Sequence, residues 1–270
     1  MCVSACGTSC TGATSISGTG GRFTGSTSGS SAYTGSCGGG SAPERTYTFT
    51  LSAASDVFIT THGSAFNTVL YVRSCNCTGT EVACNDNADG FNTSMLQLTN
   101  LAAGTYTVFV DGNGTATGSY TLDVYITPTG AVAGDRCSRP TFWPGGTANV
   151  TGSTCGLADD MNAEVTGCFV SSGIAPDAVY YFVVTANSTV TIDTCSAGCT
   201  DYDTVLTIRS ICNNATVTAC NDDACKSGCV AGGMSRQSNV SASLAPGIYY
   251  VAVDGYASAC GNYSAHHVGF

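Results

Sequence analysis

Two closely similar stretches of sequence decide how this chain is built. Residues 101–112 read LAAGTYTVFVDG, and residues 244–255 read LAPGIYYVAVDG. In both stretches tyrosine and valine recur at every second position between two glycines, a pattern typical of a β-strand bounded by turns. Because the stretch returns after 143 residues, we predict that the chain contains two copies of one β-rich domain.

Other stretches repeat in the same order upstream of this strand. NTVLYVRS at 67–74 returns as DTVLTIRS at 203–210, and APERTYTF at 42–49 returns as APDAVYYF at 175–182. Short runs rich in valine, isoleucine, threonine and tyrosine are separated by glycine, asparagine, aspartate and serine. We therefore predict an all-β fold of two tandem antiparallel β-sandwich domains.

The predicted domains span residues 22–130 and 134–270. Residues 1–21 form a leader rich in glycine, serine and threonine. Such a segment has little apolar surface to bury, so we expect it to be flexible. The alternative is that a neighbouring subunit orders the leader by accepting it as an added strand.

The composition excludes several classes of protein. Only 10% of the 270 residues are charged and the net charge is −10, which argues against a basic surface for nucleic acid. No apolar run is long enough for a transmembrane helix. The start of the chain lacks the features of a secretory signal, so we expect a processed chain or a piece of a longer one. Seventeen cysteines indicate an oxidising compartment and a disulfide framework.

Four motifs occur in the same order in both copies. They are Ala-Pro-x-x-x-Tyr-x-Phe, Thr-Val-Leu, Cys-Asn-Asp and Gly-x-Tyr-x-Val-x-Val-Asp-Gly. This order resembles the bacterial pre-peptidase C-terminal domain over about residues 40–126 and 173–268. The resemblance implies a jelly-roll-like sandwich that accompanies secreted proteins and is usually non-catalytic, with relatives that bind calcium, collagen or polysaccharide.

Acidic and amide side chains gather around the repeated motifs of the second domain. They are Asp201, Asp203, Asn221, Asp222, Asp223 and Asp254. Aspartates without basic partners repel one another unless a cation neutralises them, and Ca²⁺ prefers oxygen ligands, so we predict a Ca²⁺ site. The first domain has fewer charges at Asn67, Asn85, Asp86, Asn87 and Asp111, which predicts a weaker site or none. The alternative for both sets is that these are turn residues bonded to nearby backbone amides.

The cysteines lack the Cys-x2-Cys spacing of zinc sites, so we interpret them as disulfides. The repeat predicts the pairs Cys10–Cys37, Cys137–Cys168 and Cys212–Cys220, and pairs Cys84 with either Cys75 or Cys77. This leaves Cys155, which has no counterpart in the first copy, for Cys260. Whether Cys195, Cys199, Cys225 and Cys229 pair locally or across the acidic cluster stays open. The odd cysteine belongs to the set Cys2, Cys6, Cys75 and Cys77, and is either free or bonded to another chain.

Asparagine glycosylation sequons are about twice as frequent as chance predicts. They lie at Asn76, Asn92, Asn113, Asn149, Asn187, Asn214, Asn239 and Asn262. This excess predicts glycans on several exposed loops.

No catalytic motif marks a nucleophile, so we expect a protein that is not an enzyme. Tandem sandwiches, the leader and an odd cysteine favour an extracellular structural or adhesive protein that polymerises through sheet edges and its N-terminal segment into a surface filament. The alternative is a carbohydrate- or matrix-binding accessory module of a larger secreted hydrolase. Its candidate aromatic platform consists of Tyr249, Tyr250, Tyr256 and Tyr263.

Overall fold

The computed structural model describes residues 10–146, 149–161, 174–195, 198–213, 217–225 and 236–270. The chain divides into two compact units, the first ending at Gly130 and the second beginning at Ala131. The regular structure of the described residues is β-strand throughout, which confirms the predicted all-β class. No helix in these ranges is long and apolar enough to cross a membrane.

The first unit contains two sheets. Its strands are β1 (Thr14–Ser15), β2 (Gly20–Ser26), β3 (Arg45–Leu51), β4 (Ser55–Thr60), β5 (Thr68–Ser74), β6 (Glu81–Asn85), β7 (Met95–Leu101), β8 (Gly104–Gly112) and β9 (Ser119–Pro128). One sheet has the order β1-β3-β8-β5-β6 and the other has the order β2-β9-β4-β7. All pairs are antiparallel except β1 with β3.

The second unit repeats this arrangement strand for strand. Its strands are β10 (Thr141–Phe142), β11 (Val150–Ser153), β12 (Ala178–Val184), β13 (Ser188–Asp193), β14 (Thr204–Arg209), β15 (Ala219–Asn221), β16 (Asn239–Leu244), β17 (Gly247–Gly255) and β18 (Asn262–Val268). The sheet orders are β10-β12-β17-β14-β15 and β11-β18-β13-β16. These are the orders of the first unit with each strand number raised by nine, so one topology is used twice.

Alternation of side chains builds the core between the sheets of each unit. In the first unit, alternate residues of β3, β5 and β8 pack against alternate residues of β4 and β9 in a single buried cluster. A hydrogen bond of 2.6 Å joins the hydroxyls of Tyr47 in β3 and Tyr120 in β9 inside that cluster. Tyr180 and Tyr263 make the same 2.6 Å bond in the second unit.

The central strands of the five-stranded sheet are also buried on their outer face. Tyr71 of β5 stacks on Phe109 of β8, with 4.4 Å between ring centroids. Residues from the start of the chain cover this face, because Cys10 and Cys77 form a disulfide and pack in the same cluster. Both faces of the sheet therefore carry apolar side chains, as expected for a strand with a continuous hydrophobic run.

The prediction of an independent leader is wrong for residues 10–21. Within the first unit, β1 pairs with β3, Ile16 enters the core and Cys10 is bonded to Cys77. We call this segment, residues 10–21, a strap. The second unit has an equivalent strap, residues 137–142, in which β10 pairs with β12 and Cys137 is bonded to Cys212. The segment before the first sandwich strand is thus part of the repeated domain. Residues 1–9 lie outside the described residues.

Most of the predicted disulfide pairs are wrong. The structure pairs Cys37 with Cys84 and Cys10 with Cys77, and Cys212 with Cys137. Cys10–Cys77 and Cys137–Cys212 join each strap to the loop after β5 or β14, and Cys37–Cys84 joins the segment before β3 to β6. The predictions instead placed bonds within the segments before β3 and β12, or between neighbouring strands. The observed bonds exclude Cys10–Cys37, Cys137–Cys168, Cys212–Cys220 and a bond from Cys84 to Cys75 or Cys77.

The remaining bonds lie in the loops of the second unit. Cys155 and Cys260, the pair left over in the second copy, are bonded as predicted. Cys195 is bonded to Cys225, which resolves the open choice in favour of pairing across the acidic cluster. Cys75, Cys199 and Cys220 are also disulfide-bonded. Of the four candidates for the odd cysteine only Cys2 and Cys6 remain, and Cys2, Cys6, Cys168 and Cys229 lie outside the described residues.

Candidate metal centre

Two neighbouring strands of the second unit bring three carboxylates to one corner of the sheet. Asp203 immediately precedes β14, and Asp222 and Asp223 immediately follow β15. Because β14 and β15 pair antiparallel, with Leu206 opposite Asn221, the start of one strand lies beside the end of the other. The carboxylate oxygens of the three aspartates lie within 4.8 Å of one another.

Two of these carboxylates have a buried oxygen that accepts no hydrogen bond from the described residues. Among the described residues, neither Oδ1 of Asp203 nor Oδ1 of Asp222 has a hydrogen-bond partner, although both atoms are buried. Burial, together with the charges of Asp223 and Asp203, raises the pKa of Asp222 to about 6. Burial and the nearby charge of Asp223 also raise the pKa of Asp203. The carboxylates therefore destabilise one another in their charged forms.

One arginine offsets part of this charge. Arg236 Nη1 lies 3.5 Å from Asp223 Oδ2, and both side chains are about half exposed. An ion pair as exposed as this contributes little free energy. The excess negative charge on Asp203 and Asp222 therefore remains.

Hydroxyl groups fix the backbone beneath the carboxylates. Ser238 Oγ donates to the carbonyl of Asp222 over 2.7 Å, and its amide bonds to the hydroxyls of Thr194 and Thr204. The Cys195–Cys225 disulfide ties the loop after Asp223 to the end of β13. The three carboxylates are thus held together by a rigid frame.

The other predicted ligands have different partners. Both carboxylate oxygens of Asp201 accept hydrogen bonds from Asn262. Asn221 Oδ1 accepts the amide of Asn239 over 2.9 Å. Asp254 is buried, and its Oδ1 accepts the amide of Gly255 over 2.6 Å. The structure brings together three of the six predicted residues.

Asp254 belongs instead to a buried group of charges that sequence reasoning missed. Burial and the charge of Asp177 raise the pKa of Asp254 to about 8, and burial raises that of Asp177 to about 7. Asp177 accepts the amides of Asp160 and Met161 through Oδ2. Arg209, only 2% exposed, donates to the carbonyl of Met161. The repeat offered a signal for this group, because Asp177, Arg209 and Asp254 align with Glu44, Arg73 and Asp111 of the first unit.

The first unit builds the same corner with less charge. Ser94 Oγ donates to the carbonyl of Asp86 over 2.7 Å, as Ser238 does to Asp222. Asn113 Nδ2 donates to Asp86 Oδ2 over 2.5 Å, so an amide satisfies one oxygen of the carboxylate. Asn67 occupies the position of Asp203. Among the described residues, Oδ1 of Asn67 and Oδ1 of Asp86 remain without partners.

The remaining first-unit candidates are engaged elsewhere. Asn85 Oδ1 accepts the amide of Met95, and its Nδ2 donates to the carbonyl of Asn87. Asp111 is buried, and its Oδ1 accepts the amide of Gly112. The first unit therefore offers one charged side chain, Asp86, where the second offers three.

Comparison with known proteins supports the resemblance read from the motifs. Residues 43–112 match the family model described as the bacterial pre-peptidase C-terminal domain. The first unit contains this domain. The matched residues run from just before β3 to the end of β8, so they include Asn67, Asp86 and Ser94 of the first-unit corner and end one residue before Asn113. No curated protein matches the chain.

Two solved structures are similar to the chain. One is the pre-peptidase C-terminal domain of the collagenase from Bacillus anthracis, at 19% identity and a TM-score of 0.31, covering 42% of this chain and 93% of that one. The other comprises the CUB1-EGF-CUB2 domains of rat MASP-1, at 8% identity and a TM-score of 0.27, covering 94% of this chain and 99% of that one.

The predicted glycosylation positions differ in how accessible their amides are. Asn92, Asn149, Asn187 and Asn239 are exposed. Asn113 and Asn262 use their Nδ2 groups to donate to Asp86 and Asp201, and Asn76 Oδ1 accepts from Thr78 in a tight turn. Asn214 lies outside the described residues. The pre-peptidase C-terminal domain and the second unit thus present free sequons on their surfaces.

The tyrosines proposed as a binding platform do not form one. Tyr250 and Tyr263 are 2% and 4% exposed, while Tyr249 stacks on Phe182. The hydroxyl of Tyr263 is bonded to Tyr180 inside the core. Tyr250 and Tyr263 are therefore buried and Tyr249 is partly buried against Phe182, so the platform interpretation is wrong for them.

Proposed function

We propose that the protein is a non-catalytic structural and adhesive protein of the cell exterior. The observation that carries the proposal is the disulfide-bonded strap present in both units, Cys10–Cys77 in the first and Cys137–Cys212 in the second. Disulfides of this kind persist in oxidising surroundings. A disulfide-bonded strap in each unit suits a protein that bears mechanical load or makes contacts outside the cell.

We infer that the second unit is a divergent copy of the pre-peptidase C-terminal domain. Supporting this inference are the identical sheet orders, the shared tyrosine pair and the shared strap. Insertions between the repeated strands carry the additional bonds Cys155–Cys260 and Cys195–Cys225.

We further propose that Asp203, Asp222 and Asp223 hold Ca²⁺. Two buried oxygens without partners and a raised pKa at Asp222 fit a bound cation, and carboxylate oxygens are the ligands that Ca²⁺ prefers. The ion would neutralise the charge at the corner and brace its loops. Isothermal titration of the full chain with CaCl₂ tests the assignment, with Asp222→Asn as the variant that removes the site.

Self-association through sheet edges is the finer part of the proposal. In the four-stranded sheets, β7 and β16 are each the last strand, and their outward residues are largely exposed. Such edges accept strands from other chains, and a head-to-tail contact that does not close gives a filament. The exposed sequons at Asn92, Asn149 and Asn187 lie outside β7 and β16 and fit a glycosylated exterior.

Electron microscopy and light scattering of native material test self-association. We expect filaments or oligomers that Thr99→Lys, a charge on the exposed side of β7, shortens or dissolves. Thr117→Lys, in an exposed loop of the same unit, is the matched control. A native preparation containing only monomers would refute the proposal of self-association. Mass analysis before and after deglycosylation tests the glycans.

A second candidate function is an accessory module of a secreted hydrolase. The match of residues 43–112 to the bacterial pre-peptidase C-terminal domain favours it. The coding sequence on either side of this chain distinguishes the candidates, because a peptidase or glycosidase domain in the same reading frame would establish the module and displace the filament subunit.

A further inference from the structure

The loop that follows β8 contains Asn113, the only asparagine of the sequence that glycine follows. The amide of Ala116 donates to the carbonyl of Asn113 over 3.0 Å, which closes a tight turn. Gly114 occupies the second position of this turn at a φ of 65°, in the left-handed region that glycine adopts without strain. Gly114 is also exposed to solvent. Water therefore has access to the peptide bond between Asn113 and Gly114.

An asparagine side chain in front of glycine is open to attack by the next backbone nitrogen, because glycine has no Cβ to hinder the approach. The Gly114 nitrogen would form a bond to the side-chain carbonyl carbon of Asn113, and the bond from that carbon to Nδ2 would break. Nδ2 leaves as ammonia and takes the proton of the Gly114 amide, so that a cyclic succinimide remains. Water then opens the ring at either carbonyl carbon and gives aspartate or isoaspartate. The reaction consumes only water and needs no oxidant or reductant.

The same dipeptide fastens a glycine-rich segment to the first-unit corner. The amide of Gly114 donates to the carbonyl of Gly39 over 3.2 Å, and the amide of Ser41 donates to the carbonyl of Gly114 over 3.0 Å. Asn113 Nδ2 donates to Asp86 Oδ2 over 2.5 Å. The succinimide would lack both the Gly114 N–H and Nδ2. Hydrolysis restores the Gly114 N–H, whereas the donor to Asp86 is lost for good.

Both products disturb these contacts. Aspartate at position 113 places a carboxylate oxygen against Asp86 Oδ2, and like charges in contact repel. Asp86 Oδ1 already lacks a hydrogen-bond partner among the described residues, so nothing there offsets the added charge. Isoaspartate also adds a carbon atom to the backbone, which moves Gly114 out of register with Gly39 and Ser41.

We propose that Asn113 is a site of spontaneous deamidation, and that its conversion releases residues 39–41 from the first unit as the protein ages. The sequence supplies the reactive dipeptide, and the fold places it where its two donors hold a neighbouring segment. The modification requires neither a bound cation nor self-association of the chain.

The second unit has the same turn without the reactive dipeptide. The amide of Ala259 donates to the carbonyl of Tyr256 over 2.9 Å, and Ala257 occupies the second position at a φ of 58°. Tyr256 stands in place of Asn113 and has no amide to lose. Because the fold accepts alanine at this left-handed position, Gly114→Ala tests the reaction while the turn is retained.

Incubation of the folded full chain at mildly alkaline pH, followed by peptide mass spectrometry that distinguishes aspartate from isoaspartate, tests the proposal. The chain is produced in a host that does not glycosylate asparagine, since Asn113 also lies in a sequon. The same chain unfolded in denaturant is the positive control for the chemistry. We expect both products to accumulate at Asn113 faster than at any other asparagine.

Three variants separate the reaction from a general change in stability. Gly114→Ala should slow the conversion by about tenfold or more, because its Cβ hinders the attack. Asn113→Gln keeps an amide on a longer side chain that closes the ring poorly, so no conversion is expected at position 113. Asn92→Gln, at an exposed asparagine followed by threonine, is the matched control and should leave the rate at Asn113 unchanged.

Hydrogen exchange measures the release of residues 39–41. We expect the amide of Ser41 to exchange about tenfold faster in the aged chain and in Asn113→Asp than in the fresh chain, because a hydrogen bond to a charged group is lost beside it. Strand β12 of the second unit should exchange at the same rate in all three samples.

Three results would overturn the proposal. The folded chain shows no product at Asn113 while the unfolded chain converts, Gly114→Ala converts as fast as the wild type, or the Ser41 amide of the aged chain stays as protected as in the fresh chain. Asn113→Gln keeps the test decisive if Gly114→Ala fails to fold, since conversion elsewhere at an unchanged rate would then show that position 113 is not the reactive site.

Discussion

The two units use the same frame at the corresponding corner of the five-stranded sheet, and they place different charges on it. Ser94 and Ser238 hold the carbonyls of Asp86 and Asp222 over the same 2.7 Å. Above this frame the first unit has one carboxylate that an asparagine amide satisfies, whereas the second has three that converge. Charge at this corner is therefore set by a few side chains and not by the backbone.

Three positions account for most of the difference. Asn67 becomes Asp203, Asn87 becomes Asp223, and Asn113, the donor to Asp86, becomes Tyr256. The first two changes add two negative charges, and the third removes a hydrogen-bond donor. A repeated domain can thus carry a cluster of carboxylates at one corner without a change in its core.

The straps provide the largest expected effect, and here we expect the units to behave alike. Cys137–Cys212 and Cys10–Cys77 close loops with sequence separations of 75 and 67 residues. Replacing either pair with alanine should destabilise its own unit by about 4 kcal/mol, because the unfolded chain regains the entropy of a long loop. Trp143, the only tryptophan and fully buried, reports on the second unit by fluorescence; hydrogen exchange reports on both.

If the cysteine pair of one strap can be replaced without loss of hydrogen-exchange protection in its unit, the two units do not depend on their straps in the same way. Such a result would show that packing against the sheet, and not the covalent bond, holds the segment in that unit.

Calcium should stabilise the second unit and leave the stability of the first unit unchanged. At a concentration one hundred times the dissociation constant, Ca²⁺ should stabilise the second unit by about 2.7 kcal/mol, read from Trp143 fluorescence during denaturation. Asp222→Asn should abolish this gain, and the matched Asp86→Asn in the first unit should leave it intact. Combining Asn67→Asp, Asn87→Asp and Asn113→Tyr should add a second site by calorimetry. Equal loss from Asp222→Asn and Asp86→Asn would contradict the comparison.

Removing the hydrogen bond of the buried tyrosine pair should destabilise each unit by the same amount. Tyr120→Phe and Tyr263→Phe each leave a partner hydroxyl buried without its 2.6 Å bond. We expect each change to destabilise its own unit by about 1–2 kcal/mol, measured by hydrogen exchange at β3 and β12. Tyr33→Phe, a half-buried position outside both pairs, serves as the control and should have a smaller effect on stability. If one unit tolerates the loss, its two sheets are held together differently.

The smallest expected effect is the change in the stability of the second unit with pH. Burial and the neighbouring aspartates raise the pKa of Asp222 from 3.8 to about 6, so the folded chain holds that proton more tightly than the unfolded chain. Without calcium, stability should therefore be higher near pH 4 and fall as the pH rises through 6. Asp222→Asn should remove this part of the profile in Trp143 denaturation curves. A wild-type profile in Asp222→Asn would assign the dependence to Asp177 and Asp254 instead.

Much of the fold was predictable because its signal is local. Alternation in β3, β8 and β9 correctly placed Tyr47, Val108 and Leu122 in the core, since side chains in a strand point to opposite faces in turn. The Cys155–Cys260 bond followed from cysteines present only in the second copy. The convergence of Asp203 with Asp222 and Asp223 followed from placing two strands side by side.

The errors arose where distant segments meet. The glycine- and serine-rich composition of residues 10–21 favoured a flexible leader, yet one disulfide and one short parallel pairing fix the segment to its own sheet. Asp254 was assigned to the acidic cluster from the motif order, but its charge interacts with those of Asp177 and Arg209. Neither result follows from composition, because each depends on which face of the sheet a remote segment covers.

An all-β chain with two similar domains could be predicted from the residues alone, because alternation and repetition are properties of neighbouring residues and fixed offsets. Which cysteines bond and which carboxylates converge became visible only in the folded chain. Those features are distances between side chains far apart in the chain, and such distances are set when the straps and sheets pack together.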